Sequence, residues 1–246
     1  MNEEDLPVTG SPEFASTHWS IVLAAGQRSS PDSRAALARL CGAYWVPLYA
    51  YARRRVPDVH AAQDLTQAFF AQLLEKNALA VARPERGRFR AFLLTAFKHF
   101  LANARDQARA QKRGGGVAPL PLDFASRESR LTLEPADHMT PERLYERQWV
   151  LSLLEQVLAR LRDEFIRAGK ERHFEQLKVF ITPQTAPASY AELAPALGLT
   201  EAAAAVAVHR LRRRYRELLR AEIAQTVASP KEVDDEIRSL FAAFDA

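Results

Sequence analysis

The chain has 246 residues, of which 48% are hydrophobic, 26% are charged and only nine are glycine. This composition excludes a disordered or fibrous chain, and the long Ala-, Leu-, Arg- and Glu-rich stretches favour helices over sheets. The sequence therefore predicts an all-α fold. The formal net charge of +4 is modest, but the arginines cluster in two internal segments while both ends of the chain are acidic.

The single cysteine, Cys41, excludes an internal disulfide and a metal site built on thiolates. The N-terminus MNEEDLPVTG has no basic region followed by an apolar stretch, and no window approaches 18 apolar residues. We therefore expect a protein of the reducing cytoplasm that is neither exported by a signal peptide nor inserted in a membrane.

The first half of the chain contains four predicted helices. A short helix is expected from Trp19 to Ala25, and Pro31 opens a longer one that Pro47 should bend. After a turn, Asp58 can cap a third helix that continues to about Lys76.

The fourth helix has the clearest pattern, because apolar residues recur at helical spacing over four turns. These residues are Phe89, Phe92, Leu93, Ala96, Phe97, Phe100, Leu101 and Ala104. Their strict period favours core positions over base-stacking positions. The segment from Arg83 to Arg113 contains nine Lys or Arg residues and only two acidic residues. Several of these basic residues lie on the side of the helix opposite the apolar stripe. A solvated helix face is the alternative to a surface that binds a polyanion.

A domain boundary is expected at Gly114–Gly116, since three consecutive glycines disfavour a helix. The prolines that follow predict a flexible, mostly extended linker between two small helical domains. The predicted organisation is a disordered N-terminus at 1–16, a first domain at 17–113, the linker at 114–139, a second domain at 140–228 and an acidic helical extension at 229–246.

The second domain should begin where Thr140 caps a helix that starts at Pro141. Helices are predicted at 141–168, 171–181, 189–197, 200–227 and 231–244. A short helix, a turn at Gly198 and a longer basic helix compose a helix-turn-helix. Six arginines between Arg210 and Arg220 repel one another unless an anion neutralises them, which favours contact with DNA phosphates over a merely solvated surface.

Three segments together resemble the extracytoplasmic-function sigma factors of bacterial RNA polymerase. AQDLTQAFF resembles their polymerase-binding helix, ERGRFRAFLLTAFKHFLANARDQARAQKR the region that captures the opened −10 element, and SYAELAPALGLTEAAAAVAVHRLRRRYRELL the helix-turn-helix that reads the −35 element. RGRFRAFLL, KRGGG and HRLRRRYRELLR are similar to a subgroup with a long interdomain segment and a short C-terminal extension.

The resemblance implies three sets of contact residues. Those for core polymerase are Asp64, Leu65, Gln67 and Phe70. Those for the −10 element are Arg88, Lys98, His99, Asn103, Arg105 and Arg109. Those for the −35 element are Thr200, Glu201, Ala203, Ala205, His209, Arg210, Arg212, Arg213 and Arg214. The sequence departs from the family at Ala203 and Ala205, where polar or basic residues are common, and alanine cannot hydrogen-bond to a base.

The resemblance implies a non-enzymatic initiation factor whose partners are core RNA polymerase and promoter DNA, with no cofactor and no metal. An anti-sigma protein or a regulatory kinase stays open as a further partner. Two alternatives are a stand-alone helix-turn-helix regulator and a helical protein-interaction module. An enzyme is disfavoured, since KRGGG lacks the GxxxxGK[ST] phosphate loop and the histidines form no HExxH pair.

Overall fold

The computed structural model describes residues 19–26, 31–76, 78–111, 139–181 and 189–242, which form nine α-helices and no strand. The all-α prediction is confirmed. The first half contains α1 (Trp19–Ala25), α2 (Pro31–Arg55), α3 (Val59–Glu75) and α4 (Phe89–Gln111). The second half contains α5 (Pro141–Arg167), α6 (Glu171–Leu177), α7 (Tyr190–Leu197), α8 (Glu201–Ala224) and α9 (Val233–Phe241). The predicted N-terminal segment 1–16 and the predicted linker, apart from Met139, lie outside the described residues.

Several helices begin where a side chain can accept a hydrogen bond from a free backbone amide. Asp58 Oδ2 accepts from the amide of Ala61 at 2.7 Å, and Thr140 Oγ1 accepts from the amide of Arg143 at 3.2 Å. Both predicted starts are therefore confirmed. The helix predicted at 171–181 ends earlier, at Leu177, where a 3₁₀ turn replaces its last part.

The phenylalanines of α4 form the core of the first half, as their period predicts. Phe89 and Phe97 are buried, and Phe89 makes an edge-to-face contact with Tyr44 at a centroid distance of 5.6 Å. Phe97 packs against Phe69 of α3 at 4.9 Å. Each such pair contributes about 0.5–1.5 kcal/mol beyond the burial of its area.

The two halves of the chain pack against each other. Helix α5 lies along α2 in the most extensive contact between described helices, and the buried side chains of both halves form one hydrophobic cluster. Tyr145 of α5 is fully buried, and its hydroxyl donates to the backbone oxygen of Arg90 at 2.9 Å. A second hydrogen bond joins the halves, in which the amide of Trp19 donates to the carbonyl of Gln225 at 3.2 Å. The limits 17–113 and 140–228 stay predictions, but the halves share a core.

Helices α7 and α8 meet at a short turn and are bent by 94° relative to each other. Gly198 makes this turn with φ 64° and ψ 33°, a left-handed conformation that strains any residue with a Cβ. Helix α7 begins with a reciprocal capping box between Ser189 and Glu192. Among the described residues no single helix is long and apolar enough to cross a membrane, and α7 and α8 reach that length only as this bent pair.

Candidate nucleic-acid interface

The start of α4 carries a buried arginine that two acids of the second half hold. Only 3% of Arg90 is exposed. Its Nε lies 2.8 Å from Glu146 Oε2, a second nitrogen bonds to Glu236, and the guanidinium lies 4.8 Å from the Trp149 ring. Burial alone would lower the pKa of Arg90, but Glu146 and Glu236 outweigh it and raise that pKa. This guanidinium therefore stays charged inside the protein.

Glu236 of α9 joins the C-terminal helix to α4. It is 0% exposed and lies on the same buried face of α9 as Val233 and Leu240. Its second oxygen lies 2.6 Å from Arg88 Nε, outside hydrogen-bond geometry but close enough for an ion pair. A further nitrogen of Arg88 donates to Ser239 Oγ at 3.0 Å. Arg88, which is a predicted −10 contact, is thus paired with side chains of α9.

The middle of α4 is engaged in the same way by Glu142, in the first turn of α5. Glu142 Oε1 lies 2.7 Å from Lys98 Nζ and 3.6 Å from a nitrogen of Arg55, and it accepts from the hydroxyl of Tyr51 at 3.4 Å. The hydrogen bond from Lys98 is the main cause that lowers the pKa of Glu142. Burial raises the pKa of Tyr51. A carboxylate therefore lies among three donors of the first half.

A cleft of about 330 Å³ opens beside this cluster, between α2, α3 and α4. Leu65 and Leu101 contribute apolar wall, while Arg55, Lys98 and Arg105 line the same cleft with positive charge. Such a combination suits an anion that carries a flat or apolar part, as a nucleotide does. The structure thus brings the predicted polymerase residue Leu65 next to two predicted −10 residues.

The remaining −10 candidates occupy the solvent side of α4. His99, Asn103 and Arg105 are exposed, and Arg105 donates to the carbonyl of Arg55 at 3.5 Å. The side chain of Arg109 lies outside the part of the chain that the structure describes. The exposed polar row continues the charged side of the cleft along the helix.

The predicted polymerase surface on α3 is partly exposed. Asp64 is exposed, and Leu65 and Gln67 are half-buried. Phe70 is only 2% exposed and stacks on Trp45 at a centroid distance of 6.2 Å. The assignment of Phe70 to a surface is therefore corrected: its position on α3 turns it toward α2, where it packs in the core.

Helix α8 presents most of its predicted DNA contacts to solvent. The exposed members of the set are Thr200, Glu201, His209, Arg210, Arg212, Arg213 and Arg214. Ala203 and Ala205 are half-exposed, on either side of the buried Ala204. Thr200 also has a structural part, because its hydroxyl caps α8 through the amide of Ala203 at 3.3 Å.

Arg212 and Arg213 each make one contact: Arg212 Nε donates to the carbonyl of Phe180 at 3.2 Å, and Arg213 Nε lies 3.6 Å from Glu217 Oε1. Arg214 is more extensively paired than these neighbours. Two of its nitrogens lie 2.7 and 2.8 Å from the oxygens of Glu164 on α5, and a third lies 3.2 Å from Glu217. The hydrogen bond from Arg214 lowers the pKa of Glu164. The guanidinium thus joins α8 to α5 in this conformation, and the assignment of Arg214 to the −35 contact stays a prediction.

Sequence reasoning did not select Arg90 or Glu236, although a signal exists for both. Arg90 precedes Leu94, Phe97 and Leu101 by four, seven and eleven positions, which places it on the buried face of α4. Glu236 lies three positions after Val233 and four before Leu240 on α9, at the same helical spacing. A charge on an apolar helix face predicts a buried ionic partner.

Residues 42–113, which include the second half of α2 and all of α3 and α4, match the family described as sigma-70 region 2. Over these residues the chain is similar to the sigma-70 family. Proteins of this family are non-catalytic transcription initiation factors that bind RNA polymerase and recognise promoters. No curated protein and no solved structure matches the chain. Within the described residues, no group of His, Cys, Asp or Glu side chains could hold a metal ion.

Proposed function

We propose that the chain is a sigma factor of the extracytoplasmic-function type, which brings core RNA polymerase to its promoters. The observation that carries this proposal is the region 2 match over residues 42–113, together with the cationic cleft that the same residues form. A stand-alone helix-turn-helix regulator would need only the second half of the chain. The region 2 match favours the sigma factor over that alternative.

Core polymerase would contact α3 through Asp64, Leu65 and Gln67. Asp64 is exposed, and the apolar side of α3 is occupied by Phe69, Phe70 and Leu73, all of which are buried. A polar residue on the outer side of a helix adds little to folding stability. The exposed side of α3 is therefore available to bind a partner.

The opened −10 strand would bind along α4. Arg88, Lys98 and Arg105 supply positive charge for phosphates, and His99 and Asn103 supply exposed polar groups beside them. Single-stranded DNA exposes the faces of its bases as well as its phosphates. A cleft with an apolar wall beside positively charged side chains therefore suits it as a binding surface. The further contact Arg109 is proposed on its place in the sequence alone.

The −35 element would bind α7 and α8, which we propose to be a helix-turn-helix. Their 94° bend and the glycine turn at Gly198 fit that motif, in which the second helix enters the major groove. The half-exposed Ala203 and Ala205 offer methyl groups but no donor, so Arg210, Arg212 and Arg213 would bind phosphates and position the helix. We therefore propose a −35 contact dominated by the DNA backbone.

The test is co-purification with core RNA polymerase, followed by run-off transcription from promoters selected with the resulting holoenzyme. The double variant Asp64→Ala, Gln67→Ala should lose co-purification while its thermal unfolding stays unchanged. The matched control is Asp106→Ala, Gln107→Ala, which removes the same residue types from exposed positions on α4. Retained co-purification of the α3 variant would contradict this surface, and the absence of any complex with the unaltered chain would contradict the function.

A further inference from the structure

In the described conformation, acids of the second half pair with several cations of the first half. Arg88 and Arg90 are paired with Glu146 of α5 and Glu236 of α9. Lys98 and Arg55 are paired with Glu142 of α5. All three acids follow the predicted linker, and all three lie on cations at or beside the proposed −10 surface.

Glu142 pairs with Lys98, which is one of the cations of the proposed −10 surface. Its Oε1 lies within 2.7 Å of Lys98 Nζ and 3.4 Å of the hydroxyl of Tyr51, with Arg55 at 3.6 Å. A phosphate oxygen uses the same kind of donors as a carboxylate oxygen. The two anions therefore compete for one set of cations.

Glu236 anchors this arrangement. A fully buried carboxylate is retained only when it is paired, because transfer of an isolated charge out of water is very unfavourable. Its partner Arg90 belongs to α4 and its partner Arg88 directly precedes that helix, so α9 is held at the start of α4 by two ion pairs. Val233 and Leu240 of α9 are buried beside them. Separation of α9 from α4 would expose Glu236, Arg88 and Arg90 together.

We infer that α9 and the first turn of α5 form an intramolecular restraint on the proposed −10 surface, and that DNA must displace Glu142 and Glu236 to bind there. This inference rests on the proposed function, since it assigns a regulation to the same surface. In the closed state Arg88 and Lys98 are neutralised, and in the open state they are free for phosphates. The C-terminal helix is thus part of the DNA-binding control of the chain.

The experiment measures binding of the full chain, without polymerase, to a fluorescein-labelled mixed-sequence single-stranded DNA by anisotropy. Glu142→Gln and Glu236→Gln should each tighten binding at least about fivefold, the lower end of ordinary coupling between two sites. The control Asp235→Asn removes the same charge from α9, but its partner Arg238 lies on the same helix, so binding should change little. Glu142 is partly exposed, so its variant tests the inference even where Glu236→Gln unfolds.

A second readout separates displacement from a general change in charge. Hydrogen exchange of the α9 amides should accelerate when the unaltered chain binds this DNA, because α9 leaves α4. Equal DNA affinity in Glu142→Gln, Asp235→Asn and the unaltered chain, with unchanged exchange in α9, would overturn the restraint and leave DNA binding standing. Failure of the unaltered chain, Glu142→Gln and Glu236→Gln to bind this DNA would overturn the restraint and the proposed −10 surface together.

Discussion

Replacement of Arg90 by Met is expected to destabilise the protein strongly. Met keeps much of the volume but removes the charge that pairs with the fully buried Glu236. Loss of one partner from a buried ion pair costs about 3–5 kcal/mol. The contact with Trp149 adds about 0.5–2 kcal/mol. Arg88 still faces Glu236 and offsets part of this loss, so we expect about 3–5 kcal/mol in total.

The second step of this prediction removes the orphaned acid. In the double variant Arg90→Met, Glu236→Leu no carboxylate is buried without a cation, since Glu146 is partly exposed and can be hydrated. Replacement of a buried pair by apolar residues is often close to neutral. The double variant should therefore be more stable than Arg90→Met alone, by about 2 kcal/mol or more.

Urea unfolding at pH 7, followed by far-ultraviolet circular dichroism, measures both free energies. The control Arg105→Met makes the same substitution at an exposed position of α4 and should change stability by less than about 0.5 kcal/mol. The reasoning is refuted if Arg90→Met unfolds like Arg105→Met. It is refuted equally if the double variant is no more stable than Arg90→Met.

Three other outcomes are expected. Phe70→Ala should lower the free energy of unfolding by about 3–5 kcal/mol in the same urea assay, because it leaves a cavity beside Trp45 in the core. An unchanged urea midpoint would contradict the placement of Phe70 in the core. Arg210→Gln and Arg213→Gln should each reduce the salt slope of duplex DNA binding by about 1, whereas Arg214→Gln should reduce it less, since Glu164 already holds that guanidinium. The pKa values of Glu142 and Glu164 are lowered, so their ion pairs stabilise the fold fully above the ordinary pKa of 4.5 and lose this effect as the pH falls through the lowered pKa values. In an acid series, the urea midpoint should therefore fall less steeply for the double variant Glu142→Gln, Glu164→Gln than for the unaltered chain.

Local features of the fold could be predicted because short stretches of sequence determine them. The period of Phe89, Phe97 and Leu101 reveals the buried side of α4, and Thr140 and Gly198 mark a helix start and a turn through their own backbone chemistry. These features need no knowledge of distant residues. Their predictions are confirmed for that reason.

The features that were missed or wrong depend on residues far apart in the chain. Arg214 meets Glu164 and Arg90 meets Glu236 only after α5 and α9 have packed, and helical period gives no information about those partners. Phe70 was assigned from a resemblance, which carries over a position but not the direction in which this chain packs it. The contact of α5 with α2 has no local sequence signal at all.

The hydrogen bond from the amide of Trp19 to the carbonyl of Gln225 has a consequence for synthesis on the ribosome. Trp19 emerges early, but its acceptor is made only after almost the whole of the described chain has been translated. Contacts of such large sequence separation form late in folding. We therefore expect nascent chains that are halted before α8 to keep the Trp19 edge of α1 open to chaperones and proteases, while a released chain closes it.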